Sequence, residues 1–303
     1  MKKKNLFLAC FVTVFFLILN CTSTQSQQET GKASLFLWKL EQGNAVLYFF
    51  GSIHMGTDII YPLDDRIYNA YNESDKLVVE LNINDQDNLI EIQQLTMQKG
   101  MFTGGESIAD YIDEKMLEKL NALAAEYNMP EHIAAKLKPW TFEITLASLE
   151  MRKLGYDPML GLDMHFIFKA EEDKKPIIEL ESPEDQINLL SGIPLKDQVL
   201  SLKFTLVDLE NLAVDFEELV NAWKTGNTEK FVTLTRQSFE AQPEFADIYK
   251  RLFINRNIQW VDKYEEMIAA GGKYFIVTGA GHLAGENSVV DLLRAKGYKV
   301  KQL

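Results

Sequence analysis

Hydrophobic residues run almost unbroken for four to seven positions near both ends of the chain, whereas the middle repeats them every three or four positions. The first pattern predicts strands and the second predicts amphipathic helices. Residues 34–51 hold two apolar runs about a Gly-Asn turn, which predicts a β-hairpin. Residues 76–82 and 176–182 predict buried strands, and residues 273–303 predict a strand, a helix and a strand.

The pattern between these strands is mainly helical, over residues 61–75, 83–154, 161–175 and 183–269. Strands near the two ends with helices between them predict a mixed α/β fold. We expect one domain over residues 35–303, with a central sheet built from N- and C-terminal strands. The long helical middle would then form a cap over that sheet.

The N-terminus differs from the rest of the chain. Three lysines precede an apolar stretch that ends in Leu-Ile-Leu-Asn-Cys, which is typical of a signal peptide and resembles the lipobox of bacterial lipoproteins. We therefore predict a lipoprotein signal peptide over residues 1–20, lipidation at Cys21 and a flexible tether over residues 21–34. Asn20 stands where a small residue is usual, so a plain secretory peptide and an uncleaved anchor stay alternatives.

Charge and cysteine content limit the classes of binding partner and the kinds of chemistry open to this chain. The chain has 31 basic and 44 acidic residues, which disfavours nucleic acid and anionic membrane faces as partners. The two cysteines both lie in the first 21 residues, so the folded part has no thiol for a disulfide, a metal or a nucleophile. With lipid on Cys21, we expect a domain tethered to a bacterial membrane in the cell envelope, facing the periplasm or the exterior.

Two of the four histidines follow the same local signature. His54 comes three residues after Gly51, and His282 comes three residues after Gly279, each at the end of an apolar run. A glycine after a strand permits a tight turn at the sheet edge where α/β sheets bind ligands. Imidazole is both a metal ligand and a general base near neutral pH. We predict that both imidazoles lie on adjacent strand ends and face one cavity.

Other polar residues stand in unusual surroundings. Glu80 lies in a buried strand, where a charge requires a partner or a metal. Asp163 and His165 are a further candidate pair, unless the first only caps a helix and the second is helix surface. Glu181 ends a predicted strand. Arg256 has apolar helical neighbours and is a candidate clamp for a substrate carboxylate, with a surface ion pair as the alternative.

These segments together resemble the TraB/PrgY/GumN family, which includes the Tiki metalloproteases of animals. The resemblance runs in order from about residue 35 to the C-terminus, with one departure at Ser288, where the family tends to have glycine. Its segments are GSIHMG, DKLVVEL, KPW, GLDMHF, KKPIIELESPEDQ, RN and GAGHLAGENSVVDLLRAKGYKV. It implies a fold similar to erythromycin-esterase and haem-binding ChaN-like proteins.

The resemblance also implies peptide hydrolysis that depends on a divalent metal such as manganese, cobalt or zinc. His54, His282 and Glu80 would form the core of that metal site, with Asp163 and His165 as further candidate ligands. The remaining motif positions, of less certain role, are Gly51, Gly279, Glu181, Gln186, Arg256 and Asn257.

The leading hypothesis is therefore a membrane-tethered, metal-dependent hydrolase of peptide or amide bonds in a peptide or protein substrate. Metal-bound water would be the nucleophile. Glu80 would serve as ligand or as general base, and Arg256 would position the substrate or steady the oxyanion. One alternative is a metal-independent esterase that uses histidine and glutamate. Another is a lipoprotein without enzymatic activity that binds a peptide signal or haem.

Overall fold

The computed structural model describes residues 34–240 and 243–303. The predicted signal peptide, Cys21 and nearly all of the predicted tether lie outside the described residues. Within the described ranges, the helices are too short or too polar to cross a membrane.

One mixed sheet forms the centre of the fold. Its strands are β1 (Leu37–Gln42), β2 (Ala45–Ser52), β3 (Lys76–Val79), β4 (Ile177–Glu179), β5 (Gly272–Gly279) and β6 (Val300–Gln302). They lie in the order β4-β3-β5-β2-β1-β6. The first four in this order are parallel, and β1 is antiparallel to both β2 and β6.

The parallel arrangement brings the C-terminal ends of four strands to one edge. Ser52 at the end of β2 pairs with Gly279 at the end of β5, and Val79 at the end of β3 pairs with Glu179 of β4. β2 and β5 are almost completely buried along their length, because helices cover both faces of the sheet. The loops after these strands therefore meet at a single place.

Helices occupy most of the sequence between the strands. They are α1 (Asp65–Glu73), α2 (Gln86–Gly100), α3 (Glu114–Glu126), α4 (Glu131–Ala134), α5 (Pro139–Lys153), α6 (Leu162–Glu172), α7 (Pro183–Ser191), α8 (Leu195–Asp208), α9 (Leu212–Lys224), α10 (Thr228–Glu240), α11 (Phe245–Tyr249), α12 (Asn255–Ala270) and α13 (Val289–Ala295). A π-helix over Lys250–Ile254 joins α11 to α12. Several helices begin at expected signals, such as the capping box at Ser182 and the proline at the first position of α5.

The helical middle has hydrophobic clusters of its own. The largest cluster surrounds the sheet and includes α1, α6, α9, α12 and α13. A second cluster joins α5 and α7 to α11 and the π-helix, and a third joins α3 and α5 to α8. The predicted class, a mixed α/β fold with a sheet from both chain ends and a large helical middle, is confirmed.

Candidate functional site

Two glycines allow the ends of β2 and β5 to approach each other. A Cβ added to Gly51 would lie 3.0 Å from the Cα of Ala280. A Cβ added to Gly279 would lie 3.1 Å from His54 Nε2 and 3.4 Å from Glu80 Oε1. The missing side chains therefore create the space in which residues from three strand ends converge, which explains why each histidine follows a glycine.

His54 is held by a carboxylate from α6. Its Nδ1 lies 2.7 Å from Asp163 Oδ2, while the Ser52 hydroxyl donates to the other Asp163 oxygen at 2.8 Å. Because a carboxylate only accepts, Nδ1 is assigned the proton and Nε2 keeps its lone pair. Among the described residues, Nε2 has no hydrogen-bond partner, and it lies beside Gly279 at the edge of a cavity.

The start of α6 is fixed against the backbone of β2. The amide of Leu162 donates to the carbonyl of Ile53 at 3.0 Å. Gly161 permits this contact, because a Cβ there would lie 2.3 Å from the carbonyl oxygen of His54. Asp163, in the first turn of α6, is thereby placed beside the imidazole.

Opposing effects act on the pKa of His54. Burial lowers it, whereas the charge and hydrogen bond of Asp163 and the charge of Glu80 raise it. The carboxylates prevail, so the pKa of His54 lies above its ordinary value. The protonated form of the imidazole is therefore stabilised. A general base needs this stabilisation, because it holds a proton during the reaction.

Arg256 lies at the centre of the polar cluster and is 6% exposed. Its Nε and Nη2 donate to the two oxygens of Glu181 at 2.7 and 2.8 Å, and Nη2 also donates to Glu80 Oε2 at 2.5 Å. Nη1 donates to the Leu252 carbonyl at 3.2 Å and to His282 Nε2 at 2.9 Å. A guanidinium has five N–H groups, so these contacts engage all of its donors.

This geometry differs from the substrate clamp expected from the sequence. Burial lowers the pKa of Arg256, but the charges of Glu80 and Glu181 raise it by a larger amount. The guanidinium therefore stays charged. Its face lies 4.6 Å from the centre of the Trp260 ring. Arg256 therefore holds the two glutamates and His282 in place, with no N–H left for a substrate.

Both carboxylates have further donors. Glu80 follows β3, and its Oε1 accepts from the Gly279 amide at 2.7 Å. Glu181 follows β4 and accepts from Trp260 Nε1 at 3.1 Å and from Gln186 Nε2 at 3.4 Å. Gln186 thus joins the site indirectly, through Glu181.

His282 is engaged at both ring nitrogens. Its Nδ1 lies 2.7 Å from Asn257 Oδ1, and the Asn257 amide group donates in turn to the Asn287 carbonyl at 2.8 Å. Nδ1 therefore carries the proton, and Nε2 accepts from Arg256. Burial, followed by the charges of Arg256 and His54, keeps the pKa of His282 well below its ordinary value. This histidine is neutral and rigidly held.

The π-helix contributes residues that the sequence did not indicate. Its wider turn precedes Arg256, presents the Leu252 carbonyl to the guanidinium, and packs Phe253 at 5.0 Å from the His282 ring. π-Helical turns occur frequently at functional sites. No periodic signal separates this segment from the helices around it, so sequence reasoning placed Phe253 on the apolar face of the Arg256 helix and did not predict that it lines the site.

A cavity opens in front of the polar cluster. His54, Glu80, Arg256 and His282 are among the residues that line it. Its large apolar lining side chains are Phe216, Leu219, Phe231, Leu252 and Phe253. The two histidines thus face one cavity from adjacent strands, in the arrangement that their shared signature predicts.

A model described as the TraB/PrgY/gumN family matches residues 36–302. The chain belongs to this family. A relative named uncharacterized protein YbaP, from Escherichia coli, is 27% identical over 252 residues, which are 83% of this chain and 89% of that protein. No solved structure gives a significant match.

Animal members of the family are more distant. Metalloprotease TIKI1 of Xenopus tropicalis is 22% identical over 347 residues, covering 96% of this chain and 67% of that protein. The human protein of the same name is 23% identical over 332 residues, covering 93% of this chain and 64% of that protein. The names of these distant relatives thus support hydrolytic activity within the TraB/PrgY/gumN family.

His165 does not lie with the other candidate site residues of this family member. Its ring lies 5.2 Å from Tyr61 and 5.8 Å from Tyr68, measured between ring centres, and it does not line the cavity. Burial, and then the charge of Lys169, lowers its pKa. The structure therefore places His165 in an aromatic cluster on the other side of α6 from the candidate site.

The resemblance implies a metal, which would need several ligand atoms that are free and directed at one point. By type, the histidines and Glu80 suit a divalent cation. As arranged, Arg256 occupies the place between Glu80 Oε2 and His282 Nε2, so of these two histidines only His54 keeps a free ring nitrogen. No group of three or more His, Cys, Asp or Glu in the described part of the chain is placed to hold a metal. The side chains in this arrangement do not fit a metal centre.

Proposed function

We propose that this chain hydrolyses peptide or amide bonds, with His54 as the general base. The observation that carries the proposal is the free Nε2 of His54, which faces the cavity while Asp163 holds the opposite nitrogen. The names of the distant animal relatives support the choice of a peptide bond as the substrate class.

The reaction needs water as its second reactant. His54 Nε2 takes a proton from water, and the resulting hydroxide forms a bond to the carbonyl carbon of the substrate. The carbon–nitrogen bond then breaks, and the proton on Nε2 passes to the departing amine. The products are a carboxylic acid and an amine, which become a carboxylate and an ammonium group by one further proton transfer, and His54 returns to its starting state.

Neighbouring residues support this base without touching the substrate. Asp163 fixes the tautomer of His54 and stabilises the imidazolium that forms. Glu80 adds a second negative charge near the ring. Arg256 keeps Glu80 in position. Asp163 and Arg256 are therefore positioning residues in this proposal.

Dependence on a divalent metal stays a prediction from the resemblance. Metal binding would require Arg256 to leave Glu80 and His282, whereas the reaction above keeps Arg256 in contact with both. Metal content and activity of the full chain, measured before and after chelation, distinguish the two. Activity that persists after complete metal removal supports the His54 mechanism, and activity that disappears and returns with added manganese supports a metalloenzyme.

Attachment to a membrane through Cys21 also stays a proposal. The supporting observation is the lipobox-like sequence before Cys21. Radioactive palmitate supplied to expressing bacteria should label the wild-type chain. Labelling that is equal in a Cys21→Ser variant would contradict lipidation at that residue.

The proposed function is tested with the full chain and a mixture of unstructured peptides in water enriched in heavy oxygen. Mass spectrometry should show shorter peptides whose new carboxylates contain one heavy oxygen, because hydrolysis adds one oxygen from water. Peptides that stay intact after prolonged incubation would contradict the proposal.

A further inference from the structure

We propose that the apolar half of the cavity binds an uncharged, apolar side chain of the substrate peptide, next to the bond that is cut. This inference rests on the proposed function and names the substrate class of that same site.

The apolar wall of the cavity comes from three helical segments. Phe216 and Leu219 come from α9, and Phe231 comes from α10. Leu252 and Phe253 come from the π-helix. All five side chains are at most 9% exposed, so neighbouring residues hold them firmly. The wall is therefore a preformed apolar surface of the kind that binds apolar groups.

The polar side chains around the cavity are already engaged. The Ser52 hydroxyl donates to Asp163, and the Thr235 hydroxyl donates to the Phe231 carbonyl at 3.0 Å. Arg256 has no free N–H, and His282 has no free ring nitrogen. A polar ligand group would therefore find His54 Nε2 and little else among these side chains.

Charge adds to this selectivity. A carboxylate side chain would approach Glu80, which repels it, while the one cation at this wall is already paired with two glutamates. Each Glu80 oxygen already accepts one hydrogen bond, so an ammonium group would exchange its full water shell for an acceptor that it shares with Arg256 or Gly279. An uncompensated buried charge costs several kcal/mol, so an apolar side chain is preferred.

The wall lies directly beside the proposed base. Phe253 contacts the His282 ring, and Gly279 separates that ring from His54 Nε2. A side chain seated against Phe253 and Leu252 would thus place its own backbone near His54. This proximity assigns the cavity to the residue whose peptide bond reacts.

The test uses five blocked peptides, acetyl-Gly-Gly-X-Gly-Gly-amide, with X as Leu, Phe, Ala, Lys or Asp. The full chain should cleave the Leu or Phe peptide with a kcat/KM at least about tenfold above that for Lys or Asp. Binding of the same peptides is measured by calorimetry under the same conditions.

A matched pair of variants tests the wall itself. Phe231→Leu enlarges the cavity and should raise the Phe-to-Leu ratio of kcat/KM by about threefold or more. Phe142→Leu changes the same residue type at a similarly buried position, 2% exposed, in the third hydrophobic cluster outside the cavity, and should leave the ratio unchanged. Leu219→Phe, which fills the cavity, should shift the ratio in the opposite direction and serves if Phe231→Leu does not fold.

The outcomes separate this inference from the proposed function. Cleavage with equal kcat/KM for all five peptides, or a preference for Lys or Asp, overturns the apolar subsite and leaves the hydrolase proposal intact. Tighter binding of the Leu and Phe peptides without cleavage supports the subsite and overturns the hydrolase. Neither cleavage nor preferential binding overturns both.

Discussion

At His54, the proposed reaction requires the proton on Nδ1 and a free lone pair on Nε2. Asp163 fixes that nitrogen and raises the pKa of the ring, together with Glu80 and against the effect of burial. Activity requires the neutral ring, so it should fall with decreasing pH at a higher pH than for an ordinary histidine. The acid limb of the pH profile thus reports this contact.

The variant Asp163→Asn removes the charge and permits the other tautomer. We expect kcat to fall by about a hundredfold or more, and the acid limb of kcat/KM to move to lower pH. The measurement is the pH dependence of kcat/KM for both proteins. An acid limb at the same pH in both would show that Asp163 does not set the pKa of His54.

Arg256 is the residue whose contacts sequence reasoning could describe least. The sequence shows that Glu80 needs a partner, yet that partner lies 176 positions away and is shared with Glu181. Side-chain pairing at this separation depends on the complete tertiary structure. The glycines before His54 and His282 were informative because their signal is local.

Replacing Arg256 by Met leaves two buried carboxylates without their cation. We expect the free energy of unfolding to fall by about 3–5 kcal/mol, which urea titration measures. Arg66→Met is the matched control, since Arg66 pairs with Asp64 at the surface, and should change stability by about 1 kcal/mol at most. Equal effects of the two variants would contradict a central role for Arg256.

At the scale of elements, the ends of β2 and β5 owe their closeness to glycine. Strands and most helices were predictable because apolar periodicity and capping residues act locally. The π-helix and the pairing of β6 with β1 were not predictable, because tertiary contacts decide both. The cavity lies where the ends of β2 and β5, which were predictable, meet the π-helix, which was not.

Gly279→Ala tests that closeness. Its Cβ would lie 3.1 Å from His54 Nε2, so we expect kcat/KM for peptide cleavage to fall by about tenfold or more while the fold is retained. Gly105→Ala, where a Cβ meets nothing within 4 Å, is the control and should leave activity unchanged. Circular dichroism checks the fold of both, and unchanged kinetics in Gly279→Ala would contradict the crowding.

At the scale of the whole molecule, stability depends on a buried acid far from the site. Glu143 of α5 is fully buried and accepts hydrogen bonds from Ser201 and Thr205 of α8. Burial raises its pKa to about 8, although these hydroxyls oppose the shift. The folded state thus favours the protonated acid, whereas the unfolded chain ionises near pH 4.5.

The contribution of Glu143 to stability is therefore full below pH 4.5 and is lost as pH rises to about 8. We expect the wild type to lose several kcal/mol of unfolding free energy over this range relative to Glu143→Gln, which cannot ionise. Urea titrations of both proteins from pH 4 to pH 9 measure the difference. A difference that does not change with pH would contradict the buried, protonated acid.

We propose His54 as the base of a peptide hydrolase built at the joined ends of β2 and β5. The most direct measurement is kcat/KM for peptide cleavage by the full chain, by His54→Ala and by His132→Ala, whose side chain lies on the exposed surface of α4. We predict a loss of at least about a hundredfold for His54→Ala and no loss for His132→Ala. Cleavage by His54→Ala at the wild-type rate would contradict the account.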